Sequence, residues 1–411
     1  MGKNTVIVVG GGASGLTASI VAARQGAKVI LLERMNRIGK KILATGNGRC
    51  NITNMNLTID NYHGTNPEFA LPALNKFDVE KTINFFKELG VYPKLENGYV
   101  YPYSNQASSV LNILRYEVER LGVNIICEEE AKEIIIKKNQ FIVKTSKNKY
   151  YGTKVILSTG GKSSPNLGSN GSGLKLAREL GHTIIKPIPG LVQLEAKEKY
   201  LKQIKGVKIQ GKITLCNQNE KVTVEKGEIL FTDYGLSGIP VLQLSRFAGK
   251  LIENNKNPHV FIDFMPEENK RSLDNLLIER FKNMPFKTLG EGLEGLFNKR
   301  LIPVLVKISD CSLNKSLNQL TKEERIKLVE NIKNLRLNII GTRQWHQSQV
   351  TVGGVSTEEI NPNTMESKKV PNLFFSGEII DIDADCGGYN LQWAWSSGYL
   401  AGFFSTNNDR K

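Results

Sequence analysis

The sequence predicts an α/β protein whose main domain has three layers around a mostly parallel sheet, with an all-β insertion and a small helical subdomain. Three observations support this. Residues 5–15 form an apolar strand, a glycine turn and the start of a helix, which together open a parallel βαβ unit. From residue 187 to about 264 the pattern changes to short strands. Residues 266–335 then carry helical periodicity with breaks at Pro and Gly. A chain of 411 residues has room for two or three domains.

The first element carries a glycine fingerprint for a dinucleotide. Gly10, Gly12 and Gly15 have the G-x-G-x-x-G spacing, which permits a tight turn, close approach of backbone N–H groups to a pyrophosphate, and close helix–sheet packing. The helix predicted over 14–25 directs its N-terminus at the phosphates. Glu33 follows the second predicted strand at about the spacing expected of a ribose-binding carboxylate. A glycine turn without a ligand is the alternative, and the flanking strand, helix and acid favour the dinucleotide.

Composition limits the class of protein and its partners. The chain shows no apolar run near the roughly 18 residues of a membrane helix and no signal peptide before the first strand, so we expect a cytoplasmic protein without a membrane partner. Five scattered cysteines without a C-x-x-C pair, and four scattered histidines, argue against a disulfide framework and a metal site. The formal charge of +15 attracts polyanions such as nucleic acid, but lysine-rich runs also mark solvated faces, and both interpretations stay open.

A segment rich in glycine and asparagine follows Glu33. Residues 39–54 contain too much Gly and Asn for a regular helix or strand, so we expect a loop that approaches a ligand. Lys41 and Arg49 place positive charge near a pyrophosphate or an electron-rich ring, and Gly46 lets backbone donors come close. An exposed basic turn is the alternative. The number of amides and cations directly after a dinucleotide-binding unit favours the ligand.

Periodicity and turn residues predict the other elements of the main domain. They are helices over 68–90 and 108–121, a turn at 99–104, strands at 28–32, 124–127 and 131–136, an antiparallel pair of 140–145 with 150–157, and a helix from the glycine turn at 168–173 to about 180.

Two later glycine turns favour FAD over NAD. An apolar strand at 154–157 leads into Thr159-Gly160-Gly161, where backbone can meet a cofactor at the carboxyl edge of the sheet. A buried strand later ends at Gly377-Glu378 and Asp381, and a helix then follows Gly388. A carboxylate there can hold ribityl hydroxyls, and the helix N-terminus can stabilise negative charge on a reduced flavin. NAD needs neither feature. A plain C-terminal strand and helix is the alternative.

The insertion and the helical segment contain fewer polar candidates. Strands are predicted at 207–216, 221–224, 228–231, 338–341 and 349–352, and a helix near 241–247. A capping box at residues 321–324 predicts the start of the last helix of the helical segment. Asp233 follows a strand end, where its side chain either faces a cleft or caps the next helix.

Along nearly its whole length the chain resembles one flavoprotein family. Its members include a ribosomal-RNA dihydrouridine synthase, a flavin reductase of the bile-acid dehydroxylation pathway and an aminoacetone oxidase. The matching motifs are Gly10-Gly11-Gly12-Ala13-Ser14-Gly15, the stretch from Gly39-Lys40-Lys41 to Thr45-Gly46-Asn47-Gly48-Arg49-Cys50-Asn51, Thr159-Gly160-Gly161, Gly353-Gly354-Val355, Thr364-Met365-Glu366-Ser367-Lys368, and Gly377-Glu378 through Gly387-Gly388-Tyr389-Asn390-Leu391-Gln392.

The resemblance implies an FAD-dependent oxidoreductase of three parts. They are a discontinuous Rossmann-like FAD-binding domain (1–190 and 350–411), an inserted β-barrel domain (191–266 and 336–349) and a helical subdomain (267–335). The FAD-binding residues expected from the motifs and the resemblance are Gly10, Gly12, Ala13, Ser14, Gly15, Glu33, Arg34, Lys41, Thr45, Gly46, Asn47, Arg49, Asn51, Ala131, Thr159, Gly160, Gly161, Gly354, Gly377, Glu378, Asp381, Gly388, Asn390 and Leu391.

The leading functional hypothesis is a reductase. NAD(P)H reduces FAD, and the flavin N5 passes hydride to an electron-poor C=C bond of a small unsaturated metabolite or of a uracil base in ribosomal RNA. No second Rossmann unit is found in the insertion, so the nicotinamide is expected to dock transiently. Cys50, Tyr389 and Asp233 are the candidate proton donors, although Cys50 also suits a buried packing position.

The substrate class is not fixed by the sequence. Charge favours RNA. Asp233 stands where a histidine follows the Leu-Phe-Thr run in many members of the family, and together with the lack of a recognisable RNA module it favours a small molecule. Two alternatives stay open: an FAD-dependent amine oxidase that produces hydrogen peroxide, and an RNA-binding flavoprotein without turnover. The oligomeric state is open as well.

Overall fold

The computed structural model describes residues 4–138 and 140–406. The strands are β1 Thr5–Val9, β2 Lys28–Leu32, β3 Thr53–Asn54, β4 Tyr62–Gly64, β5 Pro93–Glu96, β6 Tyr99–Pro102, β7 Asn124–Ile126, β8 Ala131–Lys137, β9 Gln140–Thr145, β10 Lys149–Gly152, β11 Lys154–Leu157, β12 Ile184–Gly190, β13 Leu194–Ala196, β14 Lys208–Asn217, β15 Glu220–Phe231, β16 Gly235–Ser237, β17 Pro258–Asp263, β18 Leu335–Thr342, β19 Val350–Val355, β20 Leu373–Phe375 and β21 Ile382–Ala384. The α-helices are α1 Ala13–Arg24, α2 Lys40–Ala44, α3 Leu71–Lys76, α4 Val79–Glu88, α5 Ala107–Arg120, α6 Ser172–Glu179, α7 Ile239–Glu253, α8 Lys270–Lys282, α9 Leu289–Leu293, α10 Ile302–Ile308, α11 Lys322–Lys333 and α12 Tyr389–Phe404.

The chain divides into two compact units. The described residues up to Ile188 and from Gln349 onward form unit 1, and residues Pro189–Ser348 form unit 2. Unit 1 contains a parallel sheet and unit 2 a closed barrel with helices, so the predicted α/β class with an inserted barrel is confirmed. The division into three domains and its boundaries stay predictions. Within the described residues, no helix combines the length and apolar character needed to cross a membrane.

Unit 1 is built on a five-stranded parallel sheet with the strand order β20-β11-β1-β2-β7. Val6 to Val9 of the central strand are at most 5% exposed, as expected of a parallel sheet covered on both faces. Helices α1 and α12 pack closely through glycine. A Cβ atom on Gly398 would lie 2.5 Å from the Ser14 carbonyl oxygen, and one on Gly402 would lie 2.6 Å from that of Ala18. Because glycine has no side chain, these two positions allow the two helices to pack at a short distance.

Two predicted elements of unit 1 differ from the structure. Residues 99–104, predicted as a turn, contain β6, which pairs antiparallel with β5. The reversal occurs at Asn97-Gly98, where both residues have positive φ, and the prediction overlooked this strong Asn-Gly hairpin signal. Residues 150–157, predicted as one strand, form two. β10 pairs antiparallel with β9, and β11 runs parallel to β1.

Three further predictions need correction. The helix predicted over 68–90 is interrupted, because Asp78 caps a new helix by accepting a hydrogen bond from the Lys81 N–H at 2.8 Å. The segment 39–54, predicted as a loop, contains the short helix α2. In unit 2 the two strands predicted between residues 221 and 231 are one continuous strand, β15.

Unit 2 is organised around a closed barrel with the strand order β13-β16-β15-β14-β17-β18. The inward side chains of the barrel share one apolar core with helices α8, α10 and α11. The predicted capping box of α11 is confirmed, since the Thr321 hydroxyl accepts from the Glu324 N–H while the Glu324 carboxylate accepts from the Thr321 N–H.

A buried ion pair fastens the end of α11 to the barrel strand β17. The Lys333 ammonium lies 2.9 Å from Asp263 Oδ1, and their side chains are only 9% and 5% exposed. Lys333 also donates to the Met265 carbonyl at 2.6 Å. The Glu268 carbonyl is a third acceptor for the ammonium, and the Met265 N–H donates to Asp263 Oδ1 at 3.1 Å, so further hydrogen bonds support this buried pair.

A buried histidine makes the stability of unit 1 sensitive to acid. His182 is 3% exposed, with Nε2 2.7 Å from the Ser367 hydroxyl and Nδ1 3.2 Å from the Ala177 carbonyl. Burial lowers the pKa of His182 in the folded protein. The unfolded chain therefore binds the proton more readily, so the contribution of His182 is constant above about pH 6.5 and unfavourable at lower pH.

We expect the free energy of unfolding to fall less steeply between pH 7.5 and 5.5 in a His182→Gln variant than in the wild type, because one acid-sensitive group is gone. Urea unfolding followed by tryptophan fluorescence at the two pH values measures this. The exposed His346 provides the control, and His346→Gln should keep the wild-type slope. An identical slope in wild type and His182→Gln would contradict the assignment.

Candidate active site

Three glycine turns meet at the carboxyl edge of the parallel sheet in unit 1. They follow the adjacent strands β1, β11 and β20. A Cβ atom on Gly10 would lie 2.4 Å from the Ser158 carbonyl oxygen, and one on Gly377 would lie 2.5 Å from Ser14 Oγ. The hydroxyls of Ser158 and Ser376 are 2.7 Å apart. The predicted turns thus lie side by side, at the edge where open α/β sheets bind ligands.

The three fingerprint glycines have different surroundings. A Cβ atom on Gly15 would lie 1.9 Å from the Gly10 carbonyl oxygen, so Gly15 serves helix–strand packing. A Cβ atom on Gly12 would meet nothing within 4 Å. Gly12 is the N-cap of α1, and no described side chain caps that helix. The first N–H groups of the helix, at Ala13 and Ser14, therefore lie beside the open space next to Gly12. This arrangement fits a pyrophosphate.

Glu33 holds the first glycine turn from the end of β2. Its Oε2 accepts from the Gly11 N–H at 2.8 Å, and its Oε1 accepts from the Met35 N–H at 2.8 Å. The side chain is nearly buried, and this burial raises the pKa of Glu33. Each carboxylate oxygen keeps a second lone pair, so the group can still accept from a ribose hydroxyl. The neighbouring Arg34 donates to the Gly168 carbonyl at 3.3 Å and lies 3.5 Å from Glu130.

Lys41 and Glu378, both predicted FAD contacts, form an ion pair with 2.7 Å between Nζ and Oε2. Ser163 joins them, with its Oγ 2.6 Å from Lys41 Nζ and 2.6 Å from Glu378 Oε1. Thr351 donates to Glu378 Oε1 through its N–H at 2.9 Å and its hydroxyl at 2.7 Å. The charge of Lys41 is therefore balanced by a carboxylate. Sequence reasoning missed Ser163 and Thr351; the one available signal was that Ser163 closely follows Gly161.

Arg49 is held by neighbouring protein groups. Its Nη2 lies 2.6 Å from Glu96 Oε2 and 2.6 Å from Asn105 Oδ1, and its guanidinium carbon lies 3.9 Å from the centre of the Tyr101 ring. The predicted cation of this loop thus has a carboxylate, an amide and an aromatic partner, and it anchors the loop to the β5–β6 hairpin.

The loop around Arg49 has an unusual backbone. Gly46 and Asn47 both adopt left-handed conformations, with φ of +55° and +54°. A Cβ atom on Gly46 would lie 2.9 Å from the Asn51 backbone nitrogen. Thr45 donates its hydroxyl to the Ile42 carbonyl at 2.6 Å, which fixes the start of the turn.

Asn51 meets the N-terminus of α12. Gly388, the N-cap of α12, has φ of +96°, and a Cβ atom there would lie 3.0 Å from the Asn51 side chain. Asn51 is 6% exposed, and its Oδ1 has no hydrogen-bond partner among the described residues. A buried acceptor of this kind needs a donor. The imide N–H or a hydroxyl of a flavin would supply one, so the residues present fit FAD.

Three other predicted FAD contacts, Asp381, Asn390 and Gly354, lie against neighbouring protein groups. Asp381 is buried and accepts from the Thr65 N–H at 2.9 Å and the Thr65 hydroxyl at 2.6 Å. Asn390 closes the loop before α12 by accepting from the Ala384 N–H at 2.9 Å and donating to its carbonyl at 2.7 Å. Gly354 has φ of +157°, where a Cβ atom would lie 2.6 Å from the Ile379 carbonyl oxygen.

The five remaining predicted FAD contacts lie in one glycine turn and at the starts of two elements: Thr159, Gly160, Gly161, Ala131 and Leu391. Thr159 donates to the Gly160 carbonyl at 3.2 Å, and Gly160 is left-handed with φ of +68°. A Cβ atom on Gly161 would lie 2.3 Å from Thr351 Oγ1. Ala131 begins β8 and is buried, and Leu391 lies half-buried in the first turn of α12.

The three candidate proton donors differ in environment. Cys50 is fully buried, and burial raises the pKa of its thiol to about 12. Tyr389 begins α12 in unit 1 and is 8% exposed, and its pKa is raised by burial and then by Tyr99 and Asp385. Asp233 lies in unit 2, where its hydrogen bond with Lys205, at 2.9 Å, lowers the pKa of the carboxyl group.

Sequence reasoning missed one further pair beside Tyr389. His63 on β4 lies 2.8 Å from Asp385 Oδ1, and Asp385 comes just after β21. β4 and β21 are antiparallel neighbours, which brings the two side chains together. Across residues 4–138 and 140–406, His, Cys, Asp and Glu side chains form no group of three suited to a metal ion.

Comparisons with known proteins assign the family. The model of the HI0933-like protein Rossmann domain matches residues 4–404. The chain is 40% identical over 401 residues to the 3-dehydro-bile acid delta(4,6)-reductase of Clostridium scindens, which covers 97% of this chain and 98% of that protein. It is 30% identical over 405 residues to the ribosomal RNA dihydrouridine synthase of Escherichia coli, which covers 97% of each.

Solved structures agree at the level of fold. The 3-ketosteroid-delta4-(5alpha)-dehydrogenase from Rhodococcus jostii superposes with a TM-score of 0.50 at 16% identity, covering 98% of this chain and 97% of that chain. The 3-ketosteroid delta1-dehydrogenase from Sterolibacterium denitrificans gives a TM-score of 0.51 at 11% identity, covering 98% and 100%. As the sequence motifs predicted, the chain belongs to the HI0933-like Rossmann family of flavoproteins.

Proposed function

We propose that this FAD-dependent oxidoreductase is an NAD(P)H-driven reductase of a conjugated C=C bond in a small 3-oxo steroid or a similar unsaturated ketone. The observation that carries the proposal is the 40% identity over 97% of the chain with a bile-acid delta(4,6)-reductase, against 30% with the ribosomal-RNA enzyme. Position 233 is Asp in this chain, whereas many members of the family have histidine there, and this difference supports a small-molecule substrate.

The residues of unit 1 suit FAD along its length. The open N-terminus of α1 at Gly12 receives the pyrophosphate, and Glu33 accepts from the adenosine ribose. Asn51 and the N-terminus of α12 hold the polar edge of the ring. The Lys41–Glu378 pair supplies both a donor and an acceptor beside it. When bound, FAD supplies the hydride of the reduction.

Tyr389 is the proton donor in this proposal. Reduction of a C=C bond adds a hydride to one carbon and a proton to the other, so a protonated side chain must face the alkene. The phenol of Tyr389 has no hydrogen-bond partner among the described residues, and its raised pKa keeps it protonated at neutral pH. The resulting phenolate regains its proton from water. Cys50 and Asp233 stay as alternative donors.

An anaerobic titration tests the proposal. NADH and NADPH are added to the purified holoenzyme while the flavin absorbance near 450 nm is followed, and a 3-oxo-4,6-diene steroid is then supplied as acceptor. We expect bleaching by one of the nicotinamides and recovery of the absorbance as the diene is consumed. Bleaching by a small amine instead, with hydrogen peroxide formed in air, would overturn the proposal in favour of an oxidase.

A second substrate class has specific support. The formal charge of +15 and the 30% identity with a ribosomal RNA dihydrouridine synthase favour a uracil base in RNA. Ribosomal RNA offered to the NAD(P)H-reduced protein separates the two classes, because dihydrouridine formation with no turnover of the steroid would assign the RNA substrate.

Replacing the phenol tests the proton donor. We expect Tyr389→Phe to lower kcat for the C=C reduction by about 10²–10⁴-fold, since the lost proton transfer is typically worth that much. FAD content and bleaching by NAD(P)H should stay at the wild-type level. Cys50→Ser and Asp233→Asn serve as comparison variants. Full turnover in Tyr389→Phe together with loss in either comparison variant would assign the proton to that residue.

A further inference from the structure

Unit 2 contains a cavity that the proposed reaction does not use. Its volume is about 610 Å³, and it lies on the outer face of the barrel near the ends of β14 and β17. Along β17, Val260 and Ile262 are fully buried or nearly so in the barrel core, so the alternate residues His259 and Phe261 are on the opposite face. The β14–β15 turn and residues 255–257 border the cavity.

Neighbouring strands add two more side chains to this face. Cys216 on β14 is the cross-strand partner of His259, and Arg336 on β18 is the partner of Phe261. Cross-strand partners point to the same face of a sheet. The cavity therefore has a floor of a thiol, an imidazole, an aromatic ring and a guanidinium.

The charges at this cavity are unbalanced. Arg336 and Lys256 both line it, and in the described part of the chain neither cationic group has a hydrogen-bond or ion-pair partner. Every lining residue is neutral or basic, with no Asp or Glu among them. Two free cations beside a concave surface attract an anion, and a guanidinium can bind an oxyanion through two parallel hydrogen bonds.

A buried polar group also faces the cavity. His259 is 5% exposed, and its ring packs edge-on against Phe261 with 5.1 Å between ring centres. Neither ring nitrogen has a hydrogen-bond partner in the described structure. Burial and the charge of Arg336 lower the pKa of His259, so the neutral ring offers one N–H donor. Asn217 Oδ1, at the same cavity, is likewise buried without a described partner. Buried groups of this kind are normally satisfied.

We propose that this cavity binds a mononucleotide, with its phosphate between Arg336, Lys256 and His259 and its base against Phe261. The volume lies within the roughly 300–1,000 Å³ of small-molecule sites. The amides of Asn217 and Asn257 carry both donors and acceptors and suit the polar edge of a base. The site is distinct from the proposed FAD site, because all of its residues belong to unit 2.

Histidine NMR on the holoenzyme tests the proposal. The chain has four histidines, so the imidazole signals are few, and His259→Gln assigns the relevant one. On titration with uridine 5′-monophosphate we expect a saturable shift of the His259 signal, with the flavin absorbance unchanged. Inorganic phosphate should bind at least about tenfold more weakly, and uridine should cause no saturable shift, since each lacks one half of the recognised ligand.

Charge-removing variants locate the phosphate. Arg336→Gln and, on the exposed rim, Lys256→Gln should each weaken binding of uridine 5′-monophosphate by about tenfold or more. Arg271→Gln removes the same charge from an exposed helix position in unit 2 that does not line the cavity, and it should leave binding within about twofold. Lys256→Gln keeps the test valid if the Arg336 variant does not fold.

Three results would overturn the proposal. One is the absence of any saturable His259 shift with uridine 5′-monophosphate. Another is unchanged binding in both charge-removing variants, which would remove the phosphate from this cavity. The third is equal affinity for inorganic phosphate and uridine 5′-monophosphate, which would exclude recognition of the base. Because the readout does not depend on turnover, failure here and failure of the proposed reduction are distinguishable.

Discussion

A Gly12→Val variant is expected to fold, to purify without FAD and to have no flavin-dependent activity. Gly12 has φ of −83° and an extended conformation that valine adopts freely, and a Cβ atom there would meet no protein atom within 4 Å. The added side chain would instead fill the space before the N-terminus of α1, where the pyrophosphate is proposed to bind. We expect FAD affinity to fall at least about 100-fold, or roughly 2.7 kcal/mol.

Absorbance near 450 nm and titration with FAD measure the loss, and urea unfolding of both apo proteins measures the fold. The free energy of unfolding should lie within about 1 kcal/mol of apo wild type. Gly15→Val is the contrasting variant, because its Cβ atom would lie 1.9 Å from the Gly10 carbonyl oxygen and should prevent folding of unit 1. A folded Gly12→Val protein that retains stoichiometric FAD would refute the placement of the pyrophosphate.

A Lys333→Met variant is expected to lose about 3–5 kcal/mol of unfolding free energy in unit 2. The substitution leaves the Asp263 carboxylate, whose side chain is 5% exposed, buried without its partner at 2.9 Å. Lys212, at 3.4 Å from Asp263 Oδ2, compensates in part. Urea unfolding at neutral pH, monitored by hydrogen exchange in the barrel, gives the change.

Two further variants separate the buried charge from the lost side chain. Lys333→Met combined with Asp263→Asn should regain a large part of the loss, because no uncompensated charge remains. Lys270→Met breaks the exposed pair with Glu330 on the neighbouring helix, at 2.5 Å, and should cost no more than about 1 kcal/mol. Equal losses for Lys333→Met and Lys270→Met would contradict the role given to burial.

The sequence predicted the core of unit 1 because its signals are local. The strand β1, the glycine turn and α1 are continuous in the chain. Close packing requires Gly10 and Gly15, whereas Gly12 borders the open space where the pyrophosphate is proposed to bind. The strand β2 was predicted with the bounds that the structure has. The β5–β6 hairpin was missed although the Asn97-Gly98 signal is local, because β6 is only four residues long and lies next to turn residues.

The partners within the candidate site could not be predicted in the same way. Lys41 and Glu378 were predicted to contact FAD individually, but nothing local indicates that they pair across 337 positions. Ser163 and Thr351 are ordinary residues in sequence and acquire a role only when the loop after β11 meets β19, where the Ser163 N–H donates to the Thr351 hydroxyl. Arg49 has its Glu96 partner 47 positions away, so the charge balance around the site is a property of the fold.

The pairing of β11 with β20 and the packing of α1 against α12 have a consequence for folding during translation. Unit 2 is a continuous segment, so the ribosome releases all of it before Leu373 and the last helix emerge. Until then β11 lacks its neighbour β20 on one edge, and α1 lacks the helix α12 that packs against it. We therefore expect unit 1 to complete its fold, and the proposed FAD site to form, only after the last helix has left the ribosome.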